Sequence, residues 1–73
     1  MKGTEFVKKV KHLAKSKGIK CKLDEERGKG SHSTLYYGDK WTIIRNLKDE
    51  LKTGTLNAML KQLGITKDEF LST

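Results

Sequence analysis

Gly28-Lys29-Gly30-Ser31-His32, followed at once by the strand-like run Ser33-Thr34-Leu35-Tyr36-Tyr37, sets a proton-transferring side chain beside a turn able to hold a phosphate. The two glycines permit a tight turn that presents its N–H groups at close range, Lys29 adds a positive charge, and His32 stands on the stiffer element that follows. Histidine is the side chain that most readily exchanges a proton near neutral pH. The chemistry this suits is phosphodiester cleavage. RNA carries its own nucleophile in the 2′-hydroxyl, so one positioned base plus cationic stabilisation of the phosphorane suffices without a metal, with Lys29 and the N–H groups of Gly30 and Ser31 facing the developing charge. DNA lacks that hydroxyl, so the same groups select RNA. A glycine-lysine-glycine turn with a polar neighbour is also an ordinary hairpin connection, and the rest of the chain has to decide between the two.

Other chemistries fit less well. Asp24-Glu25-Glu26 is an acidic run, but successive residues of a strand point to opposite faces, so at most two of the three converge and a solvated patch is expected in place of a magnesium site. With one cysteine, Cys21, and two histidines, His12 and His32, the chain lacks the ligands for zinc and cannot form an internal disulfide. Ser31 and Ser33 flank His32, yet a hydrolase triad also needs a placed carboxylate and an enclosed pocket. No cofactor and no metal is expected.

A chain of 73 residues is one domain, 1–73, near the lower size limit for a self-supporting core; a fold this small buries about 60% of the surface its unfolded chain exposes. A deep enclosed site is not expected. Residues 1–23 hold eight lysines against Glu5 alone, while residues 24–73 hold eight basic and eight acidic side chains, so the first third carries the net charge of +7. A polyanion is the expected partner. There is no apolar run of the roughly 20 residues that spans a bilayer and no leader-like segment, so the cytoplasm, with no membrane partner, is the expected setting.

The elements that position the motif follow from periodicity. Phe6, Val7, Val10, Leu13 and Ala14 have the spacing of one helical face, with Thr4 a plausible cap and Gly18 a stop. Lys8, Lys11 and Lys15 recur on a face turned away from that stripe, and His12 reads as an exposed bystander. Ile19, Cys21 and Leu23 then alternate with Lys20, Lys22 and Asp24, the period of a half-buried strand. In a second strand over 32–37, Leu35 and Tyr37 face one way, and His32, Thr34 and Tyr36 the other. Gly38-Asp39-Lys40 turns into Trp41-Thr42-Ile43-Ile44, a third strand. Tyr36 is placed to stack a nucleotide base beside His32, whereas Tyr37 and Trp41 are expected in or near the core. Residues 47–51 fit either a helical turn or a loop. Thr53 is the expected cap of a helix bearing Leu56, Met59, Leu60 and Leu63 and stopped by Gly64, and Thr66 with Glu69 has capping-box spacing for a short last helix carrying Phe70 and Leu71. The expected fold is α+β, in the order α-β-β-β-α plus a short C-terminal helical turn. Its helices pack on one face of a three-stranded antiparallel sheet, and the other face, with His32, stays open.

The turn over 28–32 together with Lys52-Thr53-Gly54-Thr55-Leu56-Asn57-Ala58-Met59-Leu60-Lys61-Gln62-Leu63-Gly64-Ile65 resembles the HicA family of bacterial toxins, mRNA interferases of type II toxin–antitoxin systems. The likeness covers nearly the whole chain. It implies a fold similar to double-stranded-RNA-binding domains, an endoribonuclease acting on mRNA, a catalytic histidine at His32, and a HicB-type antitoxin as cognate partner. Many relatives carry a second histidine where this chain has Ser33, and a proline or histidine where it reads Ile44-Arg45-Asn46. The base is retained, and the group that protonates the leaving oxygen stays open among Lys29, Arg45 and water. Lys8, Lys11, Lys15, Lys20, Lys22, Tyr36 and Arg45 are the expected RNA-binding residues.

Two other readings share the order of elements. A non-catalytic double-stranded-RNA-binding module reads shape through phosphates and 2′-hydroxyls, but such modules place a lysine cluster at the start of the last long helix, and residues 53–60 contain no basic side chain. A protein-interaction domain docking its basic helix on an acidic partner is compatible with a toxin as a second role.

Overall fold

The structure is a computed structural model that describes residues 1–25, 32–45 and 47–72. Helix α1 spans Gly3–Lys17, strands β1, β2 and β3 span Cys21–Glu25, Ser33–Tyr37 and Lys40–Ile44, and helices α2 and α3 span Thr53–Leu63 and Lys67–Leu71. The strands form one antiparallel sheet in the order β1-β2-β3. The register sets Lys22, Tyr36 and Trp41 in one row and Asp24, Thr34 and Ile43 in the next.

Alternation along the strands sorts their side chains cleanly. Leu35 and Tyr37 of β2 and Thr42 and Ile44 of β3 are buried, and Cys21 and Leu23 of β1 are half-buried against them. On that face α1 packs over β1 and β2, and α2 packs over β3. The apolar stripe of α1, Phe6, Val7, Val10, Leu13 and Ala14, is buried as its spacing predicts, as are Met59, Leu60 and Leu63 of α2. The buried hydroxyl of Thr42 donates to Oε1 of Gln62, which ties β3 to α2. The α+β arrangement and the open second face are as expected.

Helix ends divide into local and tertiary cases. Gly18 and Gly64 both take the left-handed conformation, with φ of 69° and 72°, which a side chain would disfavour. The N–H of Ile19 returns to the carbonyl of Ala14 at 2.8 Å, and that of Ile65 to Leu60 at 2.9 Å, closing each helix. Thr66 and Glu69 form the expected capping box, each accepting from the other's N–H at 3.1 and 3.2 Å. Thr4 and Thr53, by contrast, are not caps. Lys2 and Lys52 occupy those positions, without a side-chain bond to the helix. At α1 the reason is tertiary: the N–H groups of Gly3 and Thr4 donate to the carbonyls of Asp49 and Leu47 at 3.1 and 2.8 Å, and Glu5 accepts from the Lys2 N–H at 3.0 Å. Residues 47–51 are thus a loop whose backbone finishes the first helix, further held by the bridge between Lys2 and Glu50.

Helix α3 is docked by Phe70, whose ring lies 5.4 Å from that of Phe6, with the ammonium of Lys9 4.8 Å from its centroid. Its neighbour Leu71 is exposed, because a single-faced short helix turns adjacent residues about 100° apart. Across the same seam Lys17 donates to the carboxylate of Glu69. That bond, followed by the N–H of Thr66, holds the Glu69 carboxyl below the ordinary range, and Glu69 in turn raises the Lys17 ammonium above its own. A lowered carboxyl pKa stabilises the fold above the unfolded value, about 4.3 for Glu, and loses that contribution as pH falls through the folded value; the raised lysine loses its contribution only in strong alkali. Glu69→Gln keeps an acceptor for Thr66 while removing the charge. Its thermal midpoint should lie below that of wild type at pH 7 and converge with it at pH 3; a gap independent of pH would show that the ion pair adds no stability.

Candidate functional site

The open face of the sheet carries part of the expected site. His32 immediately precedes β2, outside the strand proper by one residue, and is exposed. Arg45 follows β3 and is also exposed, and both line one concavity of about 1260 Å³ together with Thr34, Tyr36, Trp41 and Ile43. Beyond β3 it is bounded by Asp49, Glu50 and Lys52 and by Thr55, Ala58 and Gln62 of α2. A cleft so large and shallow exceeds the roughly 300–1,000 Å³ of small-molecule sites and suits a polymer.

The expected residues do not all assemble there. Lys29, Gly30 and Ser31 lie outside the described residues, as does Glu26 of the acidic run. Lys22 points to the open face in the row of Tyr36, and Lys20, just before β1, is exposed. Lys8, Lys11 and Lys15 are exposed on α1, but none of them lines the concavity that holds His32. Lys11 sits close enough to the strand layer to act on Cys21, whose thiol is pushed up by burial and partly drawn back by that ammonium. His12 lines a separate recess with Asp68, Glu69 and Ser72.

Sequence reasoning misplaced one residue. Trp41, expected in or near the core, stands on the open face and is 55% exposed. The register explains it: Tyr37 pairs with Lys40 across the Gly38-Asp39 turn, so Trp41 pairs with Tyr36 and shares its outward face. Because Leu35 and Tyr37 were legible as inward, the two-residue turn alone was the signal that could have placed Trp41. Ser33 has the opposite fate. It is buried on the inner face, so an imidazole at that position points away from His32.

Among the described residues no three His, Cys, Asp or Glu side chains cluster as metal ligands, and no helix is long and apolar enough to cross a membrane. No curated protein and no solved structure matches the chain. Residues 7–65 do match the family model of the HicA toxin of bacterial toxin–antitoxin systems. That span runs from the first buried turn of α1 to the stop of α2, taking in the whole sheet and the concavity at His32, and the chain therefore belongs to the HicA toxin family.

Proposed function

We propose that this toxin is a metal-independent endoribonuclease of the cytoplasm that cleaves mRNA, with His32 as general base and a HicB-type antitoxin as its inhibitor. The observation that carries the reading is an exposed imidazole sharing an open, polymer-sized concavity with the guanidinium of Arg45. His32 takes the proton from a ribose 2′-hydroxyl, the 2′-oxygen bonds to the adjacent phosphorus, and the bond from phosphorus to the 5′-oxygen breaks. The products are a 2′,3′-cyclic phosphate and a 5′-hydroxyl. Arg45 does not give up its proton and so serves by charge, stabilising the dianionic phosphorane; Lys29 or water protonates the leaving oxygen. Lys29, Gly30 and Ser31 take the phosphate by sequence, Tyr36 stacks a base, and Lys20 and Lys22 with the stripe of Lys8, Lys11 and Lys15 hold the backbone of a longer RNA.

His32→Ala should lower RNA cleavage about 10²- to 10⁴-fold and relieve growth arrest, with an unchanged thermal midpoint because the side chain packs against nothing in the core. Equal toxicity of variant and wild type at matched expression would refute the assignment. In excess EDTA, cleavage should continue and leave a cyclic phosphate or its opened product. Loss in EDTA with rescue by magnesium would transfer the chemistry to the acidic run.

An open site is most directly silenced by covering it. The antitoxin should bury His32 and set acidic side chains toward the basic surface, so that association is fast and slowed by salt. Hydrogen exchange over residues 32–37 should slow in the complex; exchange unchanged in a fully inhibited complex would replace occlusion with a remote effect.

A further inference from the structure

Tyr36 and Trp41 face each other across β2 and β3 on the open side of the sheet, 39% and 55% exposed. Directly opposed residues of antiparallel strands set their Cβ atoms about 5 Å apart, so the two rings occupy adjoining positions, an aromatic shelf on the open face. From His32 to Tyr36 is four residues of extended chain, about 13 Å, which is no more than four steps at the 3.4 Å spacing of bases stacked along a strand.

The strip that joins the two ends carries no acid. On the open face it runs from His32 and Arg45 through Thr34 and Ile43 to Tyr36 and Trp41. The acidic groups of the concavity lie to its sides, Asp24 on β1 and Asp49 and Glu50 beyond β3, while Lys22 closes the aromatic row on β1. Phosphates are therefore accepted at the His32–Arg45 end and beside Lys22. Between them on β2 and β3 lie Thr34 and Ile43, which carry no charge, with Asp24 beside Thr34 on β1. The exposed large hydrophobic groups of the strip are Tyr36, Trp41 and Ile43; two of the three are aromatic rings, with Lys22 in their row and Arg45 at the far end, and rings beside cations are the combination that takes up nucleotides by stacking.

We infer that Tyr36 and Trp41 form a base-stacking subsite that makes unpaired, single-stranded RNA the substrate, engaging a base within about four nucleotides of the phosphate cut at His32. In a duplex the bases are enclosed and the grooves present 2′-hydroxyls and phosphates, so paired RNA cannot use the shelf. The inference rests on the ribonuclease reading and deepens it.

Trp41 is the sole tryptophan, so its fluorescence reports on this surface alone. The test titrates the His32→Ala protein, which leaves RNA intact, with a non-self-complementary ten-nucleotide RNA and with the same RNA annealed to its complement. Single-stranded RNA should quench Trp41 and bind more tightly than the duplex. In the same background Trp41→Ala should weaken single-strand binding about 5- to 150-fold, the range for loss of one stacked base, while Trp41→Phe, followed by a labelled RNA, should retain most of it. Unchanged affinity in Trp41→Ala, or a duplex that binds as tightly with the same quenching, overturns the subsite and leaves the ribonuclease reading standing. Loss of antitoxin binding without loss of RNA binding assigns the shelf to the protein partner and also overturns it. Failure of both RNAs to bind the His32→Ala protein overturns the ribonuclease reading and the subsite with it.

Discussion

Everything in this molecule depends on a three-stranded sheet that has helices for only one of its faces. Helices α1 and α2 cover Leu35, Tyr37, Thr42 and Ile44, and no helix among the described residues packs on the other side. With a side-chain period of two, β2 and β3 then commit every residue to the core or to the open surface, and a slip of one position would exchange the two sets. The two-residue turn at Gly38-Asp39 and the bond from Thr42 to Gln62 fix that choice. His32, Thr34 and Tyr36 are outside for the same reason that Leu35 and Tyr37 are inside.

The helical layer is knitted together by backbone as well as by burial. Residues 47–51, which have no regular structure of their own beyond one bridge, supply the carbonyls that complete the start of α1 and connect β3 to α2. The loop that bounds the concavity on one side is therefore the loop that finishes the core helix on the other. Helix α3 adds a second clasp through Phe70 on Phe6 and Glu69 on Lys17. A domain of this size, with little interior to spare, uses such clasps in place of a larger core.

What could be read from the sequence was what short-range physics decides. The stripes of α1 and α2, the left-handed glycines after them and the capping box of Thr66 and Glu69 each depend on residues within one or two turns, and each stands where its spacing put it. Thr4 and Thr53 have the right chemistry for caps, but at α1 the loop carbonyls of Leu47 and Asp49 reach the same N–H groups and make a hydroxyl unnecessary. Trp41 departs from its sequence expectation because hydrophobicity favours the core for a large aromatic on a strand, whereas register decides which face it occupies. The meeting of His32 with Arg45 was legible only in part: each residue announced itself, yet their shared concavity exists because β2 and β3 pair antiparallel across a turn between them.

The inward position of Ser33 bears on how an imidazole can act here without a second one beside it. Ser33 is buried on the inner face while His32, one residue before β2, is exposed at the open concavity, so a histidine at 33 would lie under the helices and could not join His32 in the proton transfer proposed for it. Two histidines in sequence would therefore be one exposed imidazole and one buried polar group needing a partner. With serine, the inner position is filled by a small side chain, and His32 is the one histidine among the described residues that lines the concavity. In the proposed cleavage, any second proton-transferring or charge-stabilising group would have to come from another element, and the end of β3, where Arg45 emerges beside the same concavity, is the described element that offers one.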